Sequence, residues 1–259
     1  VISAGLAIGR GTADALFLKR FGIQYLPYMY LGLGVLMCIV STVYAAYADR
    51  LAPERTFFIL LTALAVMLGG NFYLMREHYD SVAYPLYYLM FEISSELLVM
   101  HASLYFSANF DNEQSKRLLP MTMAGLQLGE VAGGLILTTT SMIGVEGLVL
   151  VWSGLAATAV VIVVVRHRSV GVSPFFAPGR RGGGLKRTIE QVTQGLKFAR
   201  RSKLLLYSSL AVFCMVVALN CLGYAAFSVY NQNFKTEAEL SVLFGVLTIV
   251  SSSVTVLVQ

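Results

Sequence analysis

The stretch GLVLVWSGLAATAVVIVVV, residues 147–165, decides the fold class because it carries no charged side chain over the length of a membrane-crossing helix. The hydrocarbon core of a bilayer requires about 20 mostly apolar residues per spanning helix. Similar apolar stretches recur along the chain, with polar breaks between them. From hydropathy and charged breaks we predict eight spanning helices, over residues 2–21, 26–48, 56–75, 83–108, 118–141, 146–165, 203–231 and 240–259.

The composition favours the same class over a water-soluble domain. Of the 259 residues, 57% are hydrophobic and 13% are charged, and the mean hydropathy is +0.71. Ordinary soluble domains carry about 25% charged residues. The alternating pattern of about ten residues that is typical of outer-membrane barrels does not recur along the chain. We therefore predict an all-α polytopic membrane protein that contacts the lipid bilayer and whose helices satisfy their own backbone hydrogen bonds.

Several function classes lack their motifs in this sequence. There is no HExxH zinc motif, GxSxG nucleophile elbow or phosphate-binding Walker loop, so we expect neither an enzyme nor an ATP-driven pump. Cys38, Cys214 and Cys221 lie in apolar stretches, without disulfide or zinc spacing. We expect no catalytic residues, no metal ion and no cofactor.

The placement of basic residues predicts the orientation of the helices. If the first helix begins in the cytoplasm, the breaks at 49–55, 109–117 and 166–203 are cytoplasmic. These breaks hold fourteen of the nineteen Lys and Arg residues, and the opposite breaks hold four. The positive-inside rule therefore supports this orientation. The net charge of +5 is then a topology signal, and we expect no nucleic-acid partner.

The long basic break divides the chain into three parts. Residues 1–165 are predicted to form a six-helix transmembrane bundle, residues 166–202 a cytoplasmic linker with an amphipathic helix, and residues 203–259 the first two helices of a second bundle. Val1 lies inside an apolar run, and the last stretch stops at Gln259 without a charged or aromatic anchor. We therefore interpret the sequence as a fragment.

Two six-helix halves joined by a long loop resemble the major facilitator superfamily, whose halves rock about a central site. The break Asp49-Arg50-Leu51-Ala52-Pro53-Glu54-Arg55 resembles that superfamily's signature loop between helices two and three, although Ala45 and Ala52 stand where the family has glycine. The resemblance implies a gating loop in which Asp49, Arg50 and Arg55 hold the halves together on the cytoplasmic side. From the residues alone, ordinary topological charges in a tight turn are the alternative.

Charged and polar side chains recur inside the predicted spans. An ionisable residue at mid-bilayer is costly, and by default it lines a cavity or pairs with a partner. We interpret these residues as lining a central cavity for a charged solute, with mutual structural pairing or protonation as the alternatives. The candidates are Arg10 and Asp14 on the first helix, Glu92 and Glu96 on the fourth, Gln127 and Glu130 on the fifth, and Asn220 on the seventh.

Glycine, histidine and tyrosine residues of the fourth and fifth spans predict how these helices pack and where they meet the membrane interface. The glycines at 125, 129 and 133 predict that another helix approaches the fifth helix closely. His101 either lines the path or hydrogen-bonds a neighbouring helix. Four tyrosines at the outer end of the fourth helix predict an interfacial aromatic belt, with a stacking platform for a nucleobase as the alternative. These tyrosines are Tyr79, Tyr84, Tyr87 and Tyr88.

A closer resemblance covers about a third of the chain. The nucleotide (ATP/ADP) translocases of plastids and intracellular bacteria show, in the same order and at near-identical spacing, the equivalents of Tyr88, Met90, Glu92, Phe106, Asn109, Ser115-Lys116-Arg117 and Pro120. The run Gly11-Thr12-Ala13-Asp14-Ala15-Leu16 is similar to the Gly-Thr-Lys-Asp-Thr-Leu motif of that family. The resemblance implies that Glu92 lies in the translocation path and that Asp14 is the motif aspartate. Ala13 stands where the family has a functional lysine.

These observations predict a secondary transporter that works by alternating access on a small charged solute. The family resemblance implies nucleotide (ATP/ADP) exchange and a location in the cytoplasmic membrane of a bacterium. The alternative function is a membrane sensor or scaffold that keeps the transporter fold and serves appended soluble domains, which bacterial proteins resembling this one also contain.

Overall fold

The computed structural model describes residues 1–48, 53–109, 112–170, 189–190, 192–195, 197–198 and 202–258. Within these ranges the regular structure is helical and contains no strand, which confirms the all-α prediction. Asp49 and Arg50 of the predicted gating loop, and most of the predicted linker, lie outside the described residues.

Each predicted span corresponds to a long helix. The first helix, α1 (Ile2–Leu16), continues through a π-helical turn (Phe17–Gly22) and a 3-10 turn (Ile23–Tyr25) into α2 (Leu26–Ala48). The remaining helices are α3 (Pro53–Arg76), α4 (Asp80–Asn109), α5 (Asn112–Thr138), the short α6 (Thr140–Ile143), α7 (Val145–Val170), α8 (Lys203–Asn233) and α9 (Glu237–Val258).

The helices differ in how apolar they are. Five helical stretches among the described residues are long and apolar enough to cross a membrane, and the first of them covers 45 residues and includes two predicted spans. The helices α4 and α5 fall outside this set because charged and polar side chains interrupt their apolar character. These five stretches include six of the eight predicted spans, all but those at 83–108 and 118–141. The five stretches are Ile2–Ala46, Pro53–Arg76, Val145–Arg166, Lys203–Asn233 and Glu237–Val258.

Large apolar side chains cover the outside of the bundle. Leu31, Val66 and Leu222 are 73%, 70% and 68% exposed. On α8, every side chain from residue 203 to residue 219 is exposed. An apolar surface of this extent on long helices is the kind of surface that contacts lipid.

The helix α1 lies at the centre of the bundle and contacts α4, α5, α7 and α9. Small residues make this position possible, because a Cβ atom at Gly5 or Gly9 would lie 2.8 Å from the indole ring of Trp152 on α7. Trp152 also packs edge-on against Tyr87 and Phe91 of α4, with ring centroids 5.9 and 5.8 Å apart. One buried tryptophan of α7 therefore joins that helix to α1 and α4.

The predicted glycine stripe of α5 packs against α1 at two of its three positions. Gly129 faces the side chain of Ser3, and a Cβ atom at Gly133 would lie 2.5 Å from the carbonyl oxygen of Ala4. Among the described residues nothing lies within 4 Å of a Cβ atom placed at Gly125, so the predicted close approach is wrong there. The reason is that Gly125 lies one turn of α5 beyond the level at which Ser3 meets Gly129.

The prediction of an aromatic belt is wrong for three of the four tyrosines. Tyr79 is exposed, but Tyr84, Tyr87 and Tyr88 are buried in the core. They lie on the side of α4 that packs within the protein, where the hydroxyl oxygen of Tyr87 is 2.6 Å from that of Thr12 on α1. Contact with other helices, not the membrane interface, therefore determines the position of these side chains.

Candidate functional site

Charged residues of α1 and α4 come together inside the bundle. The charges of Arg10 and Glu92 both act on the carboxyl group of Asp14, and Glu92 interacts electrostatically with Arg10 and Glu96. The guanidinium carbon of Arg10 lies 5.8 Å from the ring centroid of Phe91. The structure therefore brings together four of the seven predicted solute-binding residues.

These charges do not form the structural ion pair that the sequence left open. Within the described ranges the ion pair that is present joins Arg20 to Glu237. Neither Arg10 nor Asp14 has a hydrogen-bonded partner for its side chain in the same part of the chain. The two residues share a face of α1 one turn apart, as their spacing predicts, without neutralising each other directly.

Two tyrosines complete this cluster. Tyr30 on α2 and Tyr88 on α4 lie within electrostatic reach of each other and of Asp14 and Glu92. The Tyr88 ring also packs against the ring of Phe17, with centroids 4.8 Å apart. We refer to the following six residues as the charged cleft: Arg10, Asp14, Tyr30, Tyr88, Glu92 and Glu96.

Exposure within the charged cleft changes along the bundle. Tyr88 is 2% exposed, Asp14 and Glu92 are half-buried, and Arg10 and Glu96 are exposed. Arg10 and Glu96 lie one turn closer than Asp14 and Glu92 to the ends of α1 and α4 that are predicted to be cytoplasmic. The exposure of these side chains therefore increases toward the ends of α1 and α4 that are predicted to be cytoplasmic.

In the opposite direction along α1, beyond Asp14, contacts join distant parts of the chain. The guanidinium group of Arg20 donates from Nε to Oε2 of Glu237 at 2.7 Å and from Nη2 to Oε1 at 2.6 Å. Lys19 donates from Nζ to the backbone carbonyl oxygen of Asn231 at 2.8 Å. We call these two contacts the Arg20 latch. It joins the π-helical turn after α1 to the ends of α8 and α9 that face each other.

Glu130 binds another helix and is not among the groups that act on Asp14 or Glu92. Ser252 on α9 donates its hydroxyl hydrogen to Oε2 of Glu130 on α5 at 2.6 Å. The Glu130 carboxylate therefore joins α5 to α9, and the structure does not support its predicted place in the solute site.

Two further predicted residues are also not brought to the charged cleft. Asn220 on α8 donates its amide hydrogen to the carbonyl oxygen of Val216 in its own helix at 2.9 Å. Gln127 is half-buried on α5, and no contact in the described part of the chain joins it to the charged cleft.

His101 hydrogen-bonds neighbouring helices, which was one of its two predicted roles. Its Nε2 atom lies 2.8 Å from the carbonyl oxygen of Pro53, and its Nδ1 atom lies 2.7 Å from the hydroxyl oxygen of Tyr44. Because a carbonyl oxygen can only accept, Nε2 carries the hydrogen and donates it to Pro53. His101 therefore fixes the start of α3 beside the predicted gating loop, of which Arg55 is described and exposed.

Sequence reasoning missed Tyr30 and Glu237 and assigned Tyr88 to the membrane interface. A signal for Tyr88 existed, because Tyr88, Glu92 and Glu96 are spaced four residues apart and share one face of α4. Tyr30 and Glu237 gave no such signal, since each meets its partners across helices far apart in sequence.

No known protein family, curated protein or solved structure matches this chain. Its function is therefore inferred from the residues and contacts of the charged cleft and the Arg20 latch.

Proposed function

We propose that the protein is a secondary membrane transporter that moves a small charged solute by alternating access. One observation carries the proposal: exposure of the clustered charged side chains increases toward the predicted cytoplasmic ends of α1 and α4, and the Arg20 latch lies beyond Asp14 in the opposite direction. A transporter of this kind exposes its site to one side of the membrane at a time. Charged side chains within the spans of such a protein mark the path of a solute or an ion.

The character of the Arg20 latch also supports this proposal. The Arg20 and Glu237 side chains are 44% and 23% exposed, so water can replace their contact at small cost. The latch can therefore hold one end of the cleft closed and still open during a transport cycle. A contact between deeply buried charges would resist such opening.

Nucleotide exchange is the version of this proposal that the family resemblance favours. Glu92 and Asp14 match acidic residues of that family, but Ala13 replaces the lysine expected to meet phosphate. The test is uptake of labelled ADP into proteoliposomes that contain the protein. If unlabelled nucleotide on the opposite side neither drives nor accelerates uptake, this version is wrong.

Alternating access itself is tested by labelling a single cysteine in the charged cleft. In a background without Cys38, Cys214 and Cys221, Glu96→Cys is treated with a membrane-impermeant thiol reagent from either side. We expect labelling from the predicted cytoplasmic side. With Arg20→Glu added, the charge repulsion at the latch opens the other end, and we expect labelling from the opposite side as well.

A matched control and a rescue complete the labelling experiment. Glu77→Cys lies in the exposed turn between α3 and α4 and is expected to react from the opposite side in every background. The double variant Arg20→Glu with Glu237→Arg restores opposite charges and should return Glu96→Cys to one-sided labelling. Labelling from one side in all variants would contradict alternating access and favour a static scaffold.

A further inference from the structure

The predicted linker contains helical residues close to the start of α8. Residues 189–190, 192–195 and 197–198 are helical and exposed, and we call them the linker helix. The hydroxyl group of Thr193 donates to the carbonyl oxygen of Ile189, one helical turn earlier, at 2.8 Å. Residues 199–202 separate the linker helix from Lys203, where α8 begins.

Backbone hydrogen bonds connect the linker helix to α8 through Ser202. The N–H group of Ser202 donates to the carbonyl oxygen of Phe198 at 3.1 Å, and the N–H group of Leu206 donates to the carbonyl oxygen of Ser202 at 3.0 Å. Ser202 itself has an extended backbone, with φ −92° and ψ 110°, and its hydroxyl oxygen caps α8 by accepting from the N–H group of Leu205. The chain therefore changes direction at Ser202, and the linker helix does not continue along the axis of α8.

This connection places the linker helix near the surface of the membrane. The stretch Lys203–Asn233 is long and apolar enough to cross a bilayer, and Lys203 is its first residue. Because the chain turns one residue before this span begins, the linker helix lies close to the level at which α8 enters the membrane. Lipid head groups are found at that level.

The linker helix carries exposed apolar side chains. Ile189 and Val192 are 50% and 49% exposed, and Phe198 is 66% exposed. Ile189 and Val192 are three residues apart, so they share one face of a helix. In the sequence the same helical spacing continues at Leu185, Leu196 and Ala199. A helix of this kind beside a membrane span can bury its apolar face at the boundary between head groups and acyl chains.

The charge of this part of the chain is strongly positive. Residues 180–203 contain eight Lys and Arg residues and one acidic residue, Glu190. Lys197 in the linker helix and Lys203 at the start of α8 are exposed. Clusters of about four to eight basic residues next to a membrane span attract anionic lipid head groups. The charge of this part of the chain is therefore complementary to the surface that its connection to α8 places beside it.

We infer that the linker helix lies along the membrane surface and binds anionic lipid head groups. Ile189 and Val192 insert between the lipids, and Lys197 and Lys203 contact the negative head groups. This inference goes beyond the proposed transport and does not depend on it. Since Ser202 bonds to both helices, lipid that binds the linker helix also fixes the start of α8.

The test uses the full chain in lipid nanodiscs of two compositions, phosphatidylcholine alone and phosphatidylcholine mixed with phosphatidylglycerol. In a background without Cys38, Cys214 and Cys221, Ile189→Cys carries a fluorophore that reports the polarity of its surroundings. In the anionic discs we expect a blue shift of the emission and quenching by lipids with a nitroxide on the acyl chain. Both effects should be much smaller in the neutral discs and should decrease as salt is raised.

A second labelled position and a matched control show which face of the linker helix enters the lipid. Val192→Cys should respond as Ile189→Cys does. Gln194→Cys is the control, since Gln194 is exposed and lies about 140° from Ile189 around the helix. We expect the label at this position to remain in water in both kinds of disc.

Lysine variants test the contribution of charge. Lys197→Gln combined with Lys203→Gln removes two exposed positive charges beside the membrane. We expect the ratio of inserted to free linker helix in the anionic discs to fall about tenfold or more. Lys235→Gln is the matched control, because Lys235 is also exposed but follows the opposite end of α8. This control should leave the ratio unchanged.

Three results would overturn the inference. The first is that the labels at positions 189 and 192 stay in water in the anionic discs. The second is insertion that is equal in neutral and anionic discs, or that does not change in the double lysine variant. The third is a blue shift without quenching by the nitroxide lipids, since protein from this chain or from a second copy would then cover the apolar face.

Discussion

Arg20 and Glu237 form a two-pronged ion pair across 217 positions of sequence, with N–O distances of 2.7 and 2.6 Å. Because both side chains are partly exposed, we expect a coupling energy near the upper end of the range for such pairs, up to about 1 kcal/mol. A double-mutant cycle with Arg20→Ala and Glu237→Ala, followed by thermal unfolding, measures it. The coupling should shrink as salt is raised. Two additive single substitutions would show that the pair contributes nothing.

The hydrogen bonds of His101 predict a loss of stability on substitution. His101→Ala removes the donor to the carbonyl oxygen of Pro53 and the partner of Tyr44. A buried group left without its hydrogen bond costs about 1–3 kcal/mol, so the unfolding temperature in detergent should fall. The control is His78→Asn, since His78 is exposed and asparagine tolerates its positive φ of 60°. An equal effect of both substitutions would contradict the structural role of His101.

Alanine substitutions at two glycines of α5 are expected to differ in their effect on stability. At Gly133 a Cβ atom would lie 2.5 Å from the carbonyl oxygen of Ala4, so Gly133→Ala must move α1 away from α5. Overpacking of this kind costs about 1–3 kcal/mol. Gly125→Ala enters open space and should be neutral or stabilise the helix by up to about 1 kcal/mol. Thermal unfolding of the two variants side by side decides the matter, and a tolerated Gly133→Ala would refute the close contact.

The hydrogen bond to Glu130 predicts that alanine substitutions at two adjacent serines differ in their effect on stability. Ser252→Ala removes the hydrogen bond to Glu130 and should lower stability by about 1–3 kcal/mol. Ser251→Ala should change stability little, because that hydroxyl group bonds only within its own helix, to Thr248. Glu130→Gln keeps an oxygen that can accept from Ser252, so it should unfold close to the unsubstituted protein. If Glu130→Gln instead abolishes solute uptake at unchanged stability, Glu130 belongs to the solute site after all.

We expect a substitution at Glu92 to affect transport without affecting membrane insertion. Glu92→Gln should impair solute uptake into proteoliposomes while the protein still inserts into the membrane. The amount of protein in the membrane fraction and the initial uptake rate are measured together. Normal uptake would assign Glu92 a role in packing only.

Much of the fold could be predicted from local patterns. The apolar runs predict the eight long helices of the described residues with boundaries that differ by up to six residues, because a helix in lipid must satisfy its own backbone hydrogen bonds. The glycines at 129 and 133 predict close packing, since small residues let two backbones approach. The spacing of Arg10 and Asp14, and that of Glu92 and Glu96, also predicts which charges share a helix face.

Contacts between helices could not be predicted in this way. The sequence shows four tyrosines near one end of α4 but not that three of them are buried, because burial depends on the helices that pack against α4. It shows Glu130 and Glu92 as equivalent intramembrane acids. Only packing gives Glu130 a partner on α9 and leaves Glu92 in the charged cleft.

The sequence by itself determined that this chain forms long, mostly apolar helices and that charged residues lie within them. These properties follow from the hydropathy and spacing of neighbouring residues. The tertiary structure alone decided that Arg20 meets Glu237 and that Tyr30 and Tyr88 lie near Asp14 and Glu92. The physical reason is that such contacts depend on the relative positions of helices far apart in sequence, which no local pattern specifies.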